Sequence, residues 1–171
     1  MISDEDIKRI IMRTIEYEGT EYEDVPGDSG GGTKFGVSQN AYQNLDIANL
    51  TLEDAVQIYV NDYFNKIRLA EVDDVDIAGE LFDTAVNMGR GGVMYVLRQA
   101  LWFLGEQVEI NTSGMDDYTL SLVNKWCAKD TRAFFKVLNG CQFMRYFNNV
   151  AKRPESAKFA RGWMKRIQQV G

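Results

Sequence analysis

The residues best suited to chemistry lie between Glu18 and Gly36, in the sequence EGTEYEDVPGDSGGGTKFG. Glu18 comes at the end of an apolar helical pattern, and a polar, glycine-rich loop then carries Asp28 and Thr33. Two carboxyl groups and a hydroxyl beside an apolar surface are suited to protonating a glycosidic oxygen and positioning a water molecule. This segment therefore indicates acid–base chemistry on a sugar linkage.

A helix before this loop should carry Glu18. Ser3 suits the N-cap position, and acidic residues at 4–6 fill the first turn, where the helix dipole favours negative charge. An apolar surface and a helix C-terminus both disfavour a carboxylate, so we expect Glu18 to lie among apolar side chains and to keep its proton. The alternative is a frayed helix end with Glu18 in water. At about 100° per residue, one stripe carries Ile7, Ile10, Ile11, Thr14, Ile15 and Glu18.

The absence of histidine excludes several other chemistries. Serine and cysteine hydrolases of the common types need an imidazole base, and the usual zinc sites need imidazole ligands. Residues 27–34 only partly match the phosphate-binding loop GxxxxGK[ST], because Thr33 precedes Lys34 and a helix precedes the loop. Acid–base chemistry by carboxylates alone remains, and we expect neither a metal ion nor an organic cofactor.

Charge and hydropathy narrow the choice of partners. The net charge is −6 and no basic stripe is present, which argues against nucleic-acid binding. The most apolar run, residues 93–104, is too short to span a bilayer, so we expect no membrane insertion. The acidic N-terminus MISDEDIKRI is unlike a Sec signal peptide, which predicts synthesis in the cytoplasm.

Cys127 and Cys141 are expected to be small apolar residues rather than the two halves of a disulfide.

Helical periods dominate the rest of the chain and predict an all-α fold. A very small β-hairpin is expected within residues 20–37 or 105–115. We expect residues 1–104 to form a catalytic region and residues 105–171 a helical region packed on it as one body. Further helices are predicted from Ser38 to Leu45, after a Thr51 capping box, from Asp74 to Met88 with Gly89 as C-cap, over 93–104 as the central buried helix, and over 117–128, 131–150 and 155–170.

Three motifs resemble a known family, the phage-type N-acetylmuramidases of glycoside hydrolase family 108. The family signature begins with E-G-G-Y and ends in D-P-G-G-x-T-x-x-G-[IV]-[TS]; this chain has Glu18-Gly19, Tyr22 and D-S-G-G-G-T-K-F-G-V-S over 28–38. LFDTAVNMG over 81–89 is similar to its L-F-D-x-x-V-N-x-G helix end. FARGWMKR over 159–166 is similar to the F-x-x-G-W-x-x-R ending of its peptidoglycan-associated region.

The resemblance implies a lysozyme-like body that cleaves the β-1,4 bond between N-acetylmuramic acid and N-acetylglucosamine. It maps the catalytic acid to Glu18 and the loop residues to Asp28 and Thr33, a set also similar to that of phage T4-type lysozymes. One residue is inserted between Gly19 and Tyr22 relative to the family pattern, so Glu21 remains the alternative acid.

Other motif residues have two interpretations each. Tyr22 and Phe35 either stack on sugar faces or pack as ordinary aromatic side chains. Asn87 either donates to an acetamido group in the substrate cleft or caps its helix. Trp163 and Arg166 are expected to hold the last helix in place, and Asp83 to support the site from behind.

The predicted function is that of a bacteriophage endolysin acting on peptidoglycan glycan strands, as a monomer. A protein made without a Sec signal would reach the wall through a holin or a secretion system. Two rivals remain: a lytic transglycosylase that uses Glu18 alone, and a non-catalytic wall-binding or phage structural protein that has kept the fold. A host enzyme that assists secretion would use the same chemistry.

Overall fold

The computed structural model describes residues 1–24 and 31–167. Packing divides the chain into two compact units: an N-terminal unit, Ser3–Asn65, and a C-terminal unit, Met1–Ile2 with Lys66–Gly171. The sequence-based boundary at 104/105 falls inside the C-terminal unit. The packing of the two predicted regions as one body stays a prediction.

The fold is mainly α, as predicted, with one two-stranded sheet among the described residues. None of the helices in residues 1–24 and 31–167 has the length and apolarity needed to cross a membrane. The elements are α1 (Asp4–Glu18), β1 (Thr33–Lys34), β2 (Val37–Ser38), α2 (Leu52–Tyr59), a π-helical turn (Val60–Phe64), a 3-10 turn (Leu69–Glu71), α3 (Val75–Phe103), α4 (Asp117–Lys152), a 3-10 turn (Pro154–Phe159) and α5 (Ala160–Met164).

Helix α1 begins and ends as its sequence predicts. The Ser3 hydroxyl accepts a hydrogen bond from the Asp6 backbone N–H at 3.2 Å, which satisfies one of the free donors of the first turn. Gly19 ends the helix at φ 100°, and its N–H donates to the Ile15 carbonyl at 3.0 Å. The predicted stripe is confirmed at its centre, where Ile10, Ile11, Thr14 and Ile15 are buried.

The predicted hairpin forms from β1 and β2, which pair antiparallel with Thr33 opposite Ser38. Phe35 and Gly36 make the turn at φ 54° and 76°, the paired positive values of a type I′ turn. Positive φ is unusual for a bulky side chain such as that of Phe35, so this turn needs support from its surroundings.

Helix α2 follows the hairpin and packs on α1. Its Thr51 capping box is confirmed: the Thr51 hydroxyl accepts from the Asp54 N–H, and the Asp54 carboxylate accepts from the Thr51 N–H. The predicted helix from Ser38 to Leu45 is wrong, since residues 39–45 form turns. The Gln39 side-chain amide donates to the Tyr42 and Leu45 carbonyls at 3.1 and 2.9 Å, which favours turns over a helix.

In the C-terminal unit, α3 and α4 pack against each other. Each is interrupted once, at Gly89 (φ 74°, ψ 166°) and at Asp130 (φ −164°, ψ 81°). The predicted helix end at Gly89 is therefore confirmed. The Asp130 carboxylate accepts from the Ala133 N–H at 2.9 Å and caps the second half of α4.

The second half of α3 is largely buried, as predicted for 93–104, although Trp102 and Phe103 at its end are exposed. Arg98 is only 3% exposed within this apolar run. Its guanidinium donates to the Ser113 and Gly114 carbonyls at 2.6 and 2.9 Å. Arg98 thereby anchors the loop between α3 and α4, which contains no strand.

Cys127 and Cys141 are free thiols in half-buried positions. Burial, followed by the negative charge of Asp74, raises the pKa of Cys127 to about 12. Burial also raises the pKa of Cys141. Both side chains are therefore neutral thiols near pH 7 and behave as small apolar groups.

We expect Arg98→Met to lower the free energy of unfolding by about 2–4 kcal/mol, because two loop carbonyls lose their charged donor. Urea denaturation measures the change. Arg132→Met, at an exposed position of α4, is the control and should stay within about 0.5 kcal/mol of wild type. Equal stability of the two variants would contradict the anchoring role of Arg98.

Candidate active site

Glu18 is the last residue of α1, and its aliphatic stem lies against the hairpin turn. A Cβ atom built at Gly36 would lie 3.0 Å from both Cβ and Cγ of Glu18. The glutamate stem therefore occupies space that opens only because residue 36 has no side chain. This contact restricts the position of the first two carbon atoms of the Glu18 side chain.

The prediction that Glu18 lies shielded among apolar side chains is wrong. The residue is exposed, whereas Ile15, one turn earlier, is fully buried. The physical reason is the helix end: Gly19 takes φ 100° and ψ 146°, so the chain leaves the helical path directly after Glu18. The stripe that buries Ile15 does not extend to the carboxyl group.

Tyr59, at the end of α2, supports the turn from inside the N-terminal unit. It is 2% exposed, and its hydroxyl donates to the Phe35 carbonyl at 2.9 Å. A Cβ atom at Gly36 would also clash with this hydroxyl. The sequence analysis did not identify Tyr59 as part of the site. The available signal in the sequence was Gly36, because a glycine in a turn often marks a place where another side chain packs against the backbone.

Thr33 lies in β1 and is bridged on its other side to Glu23. The two residues exchange backbone hydrogen bonds of 2.8 Å in each direction. The Thr33 hydroxyl is part-buried and donates a long bond of 3.3 Å to the Gly31 carbonyl. Its oxygen lone pairs remain suited to accepting a hydrogen bond from a water molecule.

Asp28 lies outside the described residues, so its catalytic role stays a prediction. Glu21, the alternative acid, is exposed like Glu18. Among residues 1–24 and 31–167, no three acidic, cysteine or histidine side chains gather as metal ligands would.

The two predicted sugar-stacking residues lie beside the hairpin. The Tyr22 ring covers Gly32, where a built Cβ atom would lie 2.7 Å from the ring atom Cε2, and Tyr22 is 44% exposed. The half-buried Phe35 forms the turn, and the ammonium group of Lys34 lies 5.3 Å from its ring centre. Each ring thus has a packing role, and stacking on sugars stays a prediction.

Asn87 belongs to the C-terminal unit, where its Oδ1 accepts from the Tyr146 hydroxyl at 2.7 Å. Burial, and then the negative charge of Asp83, raise the pKa of Tyr146, so this hydroxyl stays a donor. The amide nitrogen of Asn87 keeps its donor capacity for an acetamido group.

The motif at 159–166 contacts the motif at 81–89 within the C-terminal unit. Arg166 donates to Asp83 at 2.8 Å, with only 12% and 10% of the two side chains exposed. The Trp163 ring stacks on Tyr146, with ring centres 4.8 Å apart. Both contacts fit the expected role of Trp163 and Arg166 in holding the end of the chain in place.

We expect Gly36→Ala to destabilise the chain by about 2–4 kcal/mol, because the new methyl group clashes with buried Tyr59 and a positive φ is strained for alanine. Gly105→Ala is the matched control: it also has a positive φ (89°), but nothing lies within 4 Å of its added Cβ. It should cost only about 1 kcal/mol. Urea denaturation giving equal losses would contradict the close packing at Gly36.

Comparisons with known proteins agree with this architecture. Residues 11–89 match the family model Glycosyl hydrolase 108. Ten chains of solved structures match significantly; one, from "Structure of Brucella abortus SagA", has a TM-score of 0.75 at 20% identity and covers 96% of this chain and 91% of that chain. Among curated proteins, none matches at a significant level. The matched residues include Glu18, Thr33, Gly36 and the motif that ends at Gly89. Residues 11–89, just under half of the chain, thus match glycosyl hydrolase family 108, and this match supports a glycoside hydrolase of the peptidoglycan-degrading, muramidase type.

Proposed function

We propose that this protein is an N-acetylmuramidase that cleaves the β-1,4 bond between N-acetylmuramic acid and N-acetylglucosamine, with Glu18 as the general acid. The observation that carries the assignment is the contact between the Glu18 stem and Gly36. It ties the carboxyl group to the same six-residue hairpin, 33–38, that carries Thr33. The acid and the water-positioning hydroxyl are thus held by one local structure.

In this mechanism Glu18 donates its proton to the leaving glycosidic oxygen. Glu18 is exposed in the free protein and is not covered by the apolar stripe of α1. A bound glycan strand would cover it instead and exclude water, which favours the neutral acid at the moment of reaction. The packed stem limits the positions of the carboxyl group, which lowers the cost of orienting it.

Thr33 positions the attacking water through its hydroxyl, and Asp28 activates that water or stabilises the oxocarbenium-like transition state. A separation of roughly 6.5–9.5 Å between the Glu18 and Asp28 carboxyl groups would give inversion of the anomeric centre, and about 5 Å would give retention. No step requires a metal ion or an organic cofactor.

We further propose that the enzyme works as a monomeric bacteriophage endolysin that reaches the wall through a holin or a secretion system. Its net charge of −6 supports a substrate other than nucleic acid. Polysaccharide recognition then depends on local hydrogen bonds and ring contacts, because this charge gives no long-range attraction to anionic wall polymers.

Glu18→Gln should abolish the clearing of purified cell walls, with a loss of at least about 100-fold, because the amide has no acidic proton to transfer to the leaving oxygen. Glu21→Gln is the matched control and should clear walls like wild type. Loss of clearing in Glu21→Gln with activity kept in Glu18→Gln would move the acid to residue 21.

Mass spectrometry of the wild-type products should show added water at the new reducing end. Products ending in a 1,6-anhydro ring would identify a lytic transglycosylase instead.

Thr33→Val removes the hydroxyl and nearly preserves the shape of the side chain. We expect kcat on soluble glycan fragments to fall about 10- to 100-fold with little change in KM, since the hydroxyl acts on the water and not on substrate binding. Thr33→Ser should keep most of the activity. A fall in both variants, or in neither, would contradict this role.

A further inference from the structure

A polar groove of about 370 Å³ lies in the C-terminal unit, between α3, α4 and α5. None of the described side chains that line it is acidic. Its volume is within the usual range of small-ligand sites. The polar lining consists of two cations and four amides: Arg145, Lys152, Asn87, Gln99, Asn148 and Asn149.

Regular helix positions build this groove. On α4, Arg145 and Lys152 are seven residues apart, with Asn148 and Asn149 between them at the spacing of a single helix face. On α3, Gln99 is one turn after Tyr95. A site built on helices rather than loops is largely formed before a ligand arrives.

Among the described residues, Arg145 is held by a ring contact and not by its hydrogen-bond donors. Its guanidinium lies 4.9 Å from the centre of the Tyr95 ring, and stacking of this kind leaves the N–H groups at the edge available. Within residues 1–24 and 31–167, neither Arg145 nor Lys152 takes part in an ion pair. Two cations with no acidic partner in the described part of the chain, in a protein of net charge −6, favour an anionic ligand.

The aromatic wall of the groove offers little ring surface for a sugar. Tyr146 and Trp163 stack on each other with ring centres 4.8 Å apart, and Arg145 covers Tyr95. Recognition in the groove therefore depends on hydrogen bonds and charge more than on ring stacking. This chemistry suits amide and carboxylate groups.

We propose that this groove binds the acidic stem peptide of peptidoglycan, with Arg145 and Lys152 on its carboxylates and the four amides on its peptide groups. The choice of peptide rests on the proposed function. In an intact wall the lactyl carboxyl group of N-acetylmuramic acid is joined to the peptide as an amide, so the glycan strand is neutral. The stem peptide carries the carboxylates, and a cationic groove distinguishes the two.

Calorimetric titration of the full chain tests this proposal with three probes: a synthetic stem tetrapeptide, the same peptide with its carboxyl groups amidated, and the disaccharide with its lactyl carboxyl group capped as an amide. Glu18→Gln serves as the protein, so that no glycan is cleaved during the measurement. We expect the free peptide to bind and amidation to weaken binding by at least about tenfold. The disaccharide should bind more weakly than the peptide. Tighter binding of the disaccharide would overturn the proposal in favour of a glycan site.

Two further variants locate the binding. Arg145→Gln and Lys152→Gln should each weaken binding of the peptide by at least about tenfold. Arg132→Gln and Lys136→Gln remove the same charge from exposed positions elsewhere on α4 and should leave binding unchanged. The peptide site would be overturned if the groove variants and the control variants lost the same affinity for the peptide. It would also be overturned if inorganic phosphate bound as tightly as the peptide and displaced it. Peptide binding with no wall clearing by wild type would refute only the proposed activity, and clearing without peptide binding would refute only this inference.

Discussion

The hydrogen bond from Tyr59 to the Phe35 carbonyl is the contact on which the candidate active site depends. It holds a turn with two positive φ angles, one of them at a bulky aromatic residue. Because that turn stays in place, Gly36 presents bare backbone to the Glu18 stem. The Glu18 side chain is therefore positioned by a tyrosine whose hydroxyl is not proposed to take part in the chemistry.

A different kind of constraint orders the C-terminal unit. Three polar residues of α3, at positions i, i+1 and i+4, form hydrogen bonds to partners on α4 and after α5. Unpaired polar groups are costly in a buried interface. Each of these hydrogen bonds therefore requires its partner to lie at one particular position along the helix axis. These bonds favour a single alignment of α3 and α4. They are Asp83 with Arg166, Thr84 with Gln142, and Asn87 with Tyr146.

The motif residues are therefore of two kinds, those near the surface and those buried in contact with each other, and the two kinds have different roles. Glu18 and Thr33 present functional groups at or near the surface, whereas Asp83 and Arg166 are nearly buried and bonded to each other. Asn87 links the two roles, since its oxygen is used within the protein and the residue also lines a polar groove. A motif match alone does not separate residues that act on substrate from residues that fix the fold.

The sequence by itself determined the helical class, the Ser3 and Thr51 caps, the helix end at Gly89 and the family, because each depends on local periodicity, on capping chemistry or on an ordered motif. Only the tertiary structure decided the surroundings of Glu18, the support that Tyr59 gives to the turn, the turns at 39–45 and the polar contacts between α3 and α4. Those features depend on which distant side chain comes within a few ångströms of another. Helical projection from α1 put Glu18 on the buried stripe, but the backbone leaves the helix at Gly19, and periodicity carries no information about where a chain goes after its helix ends.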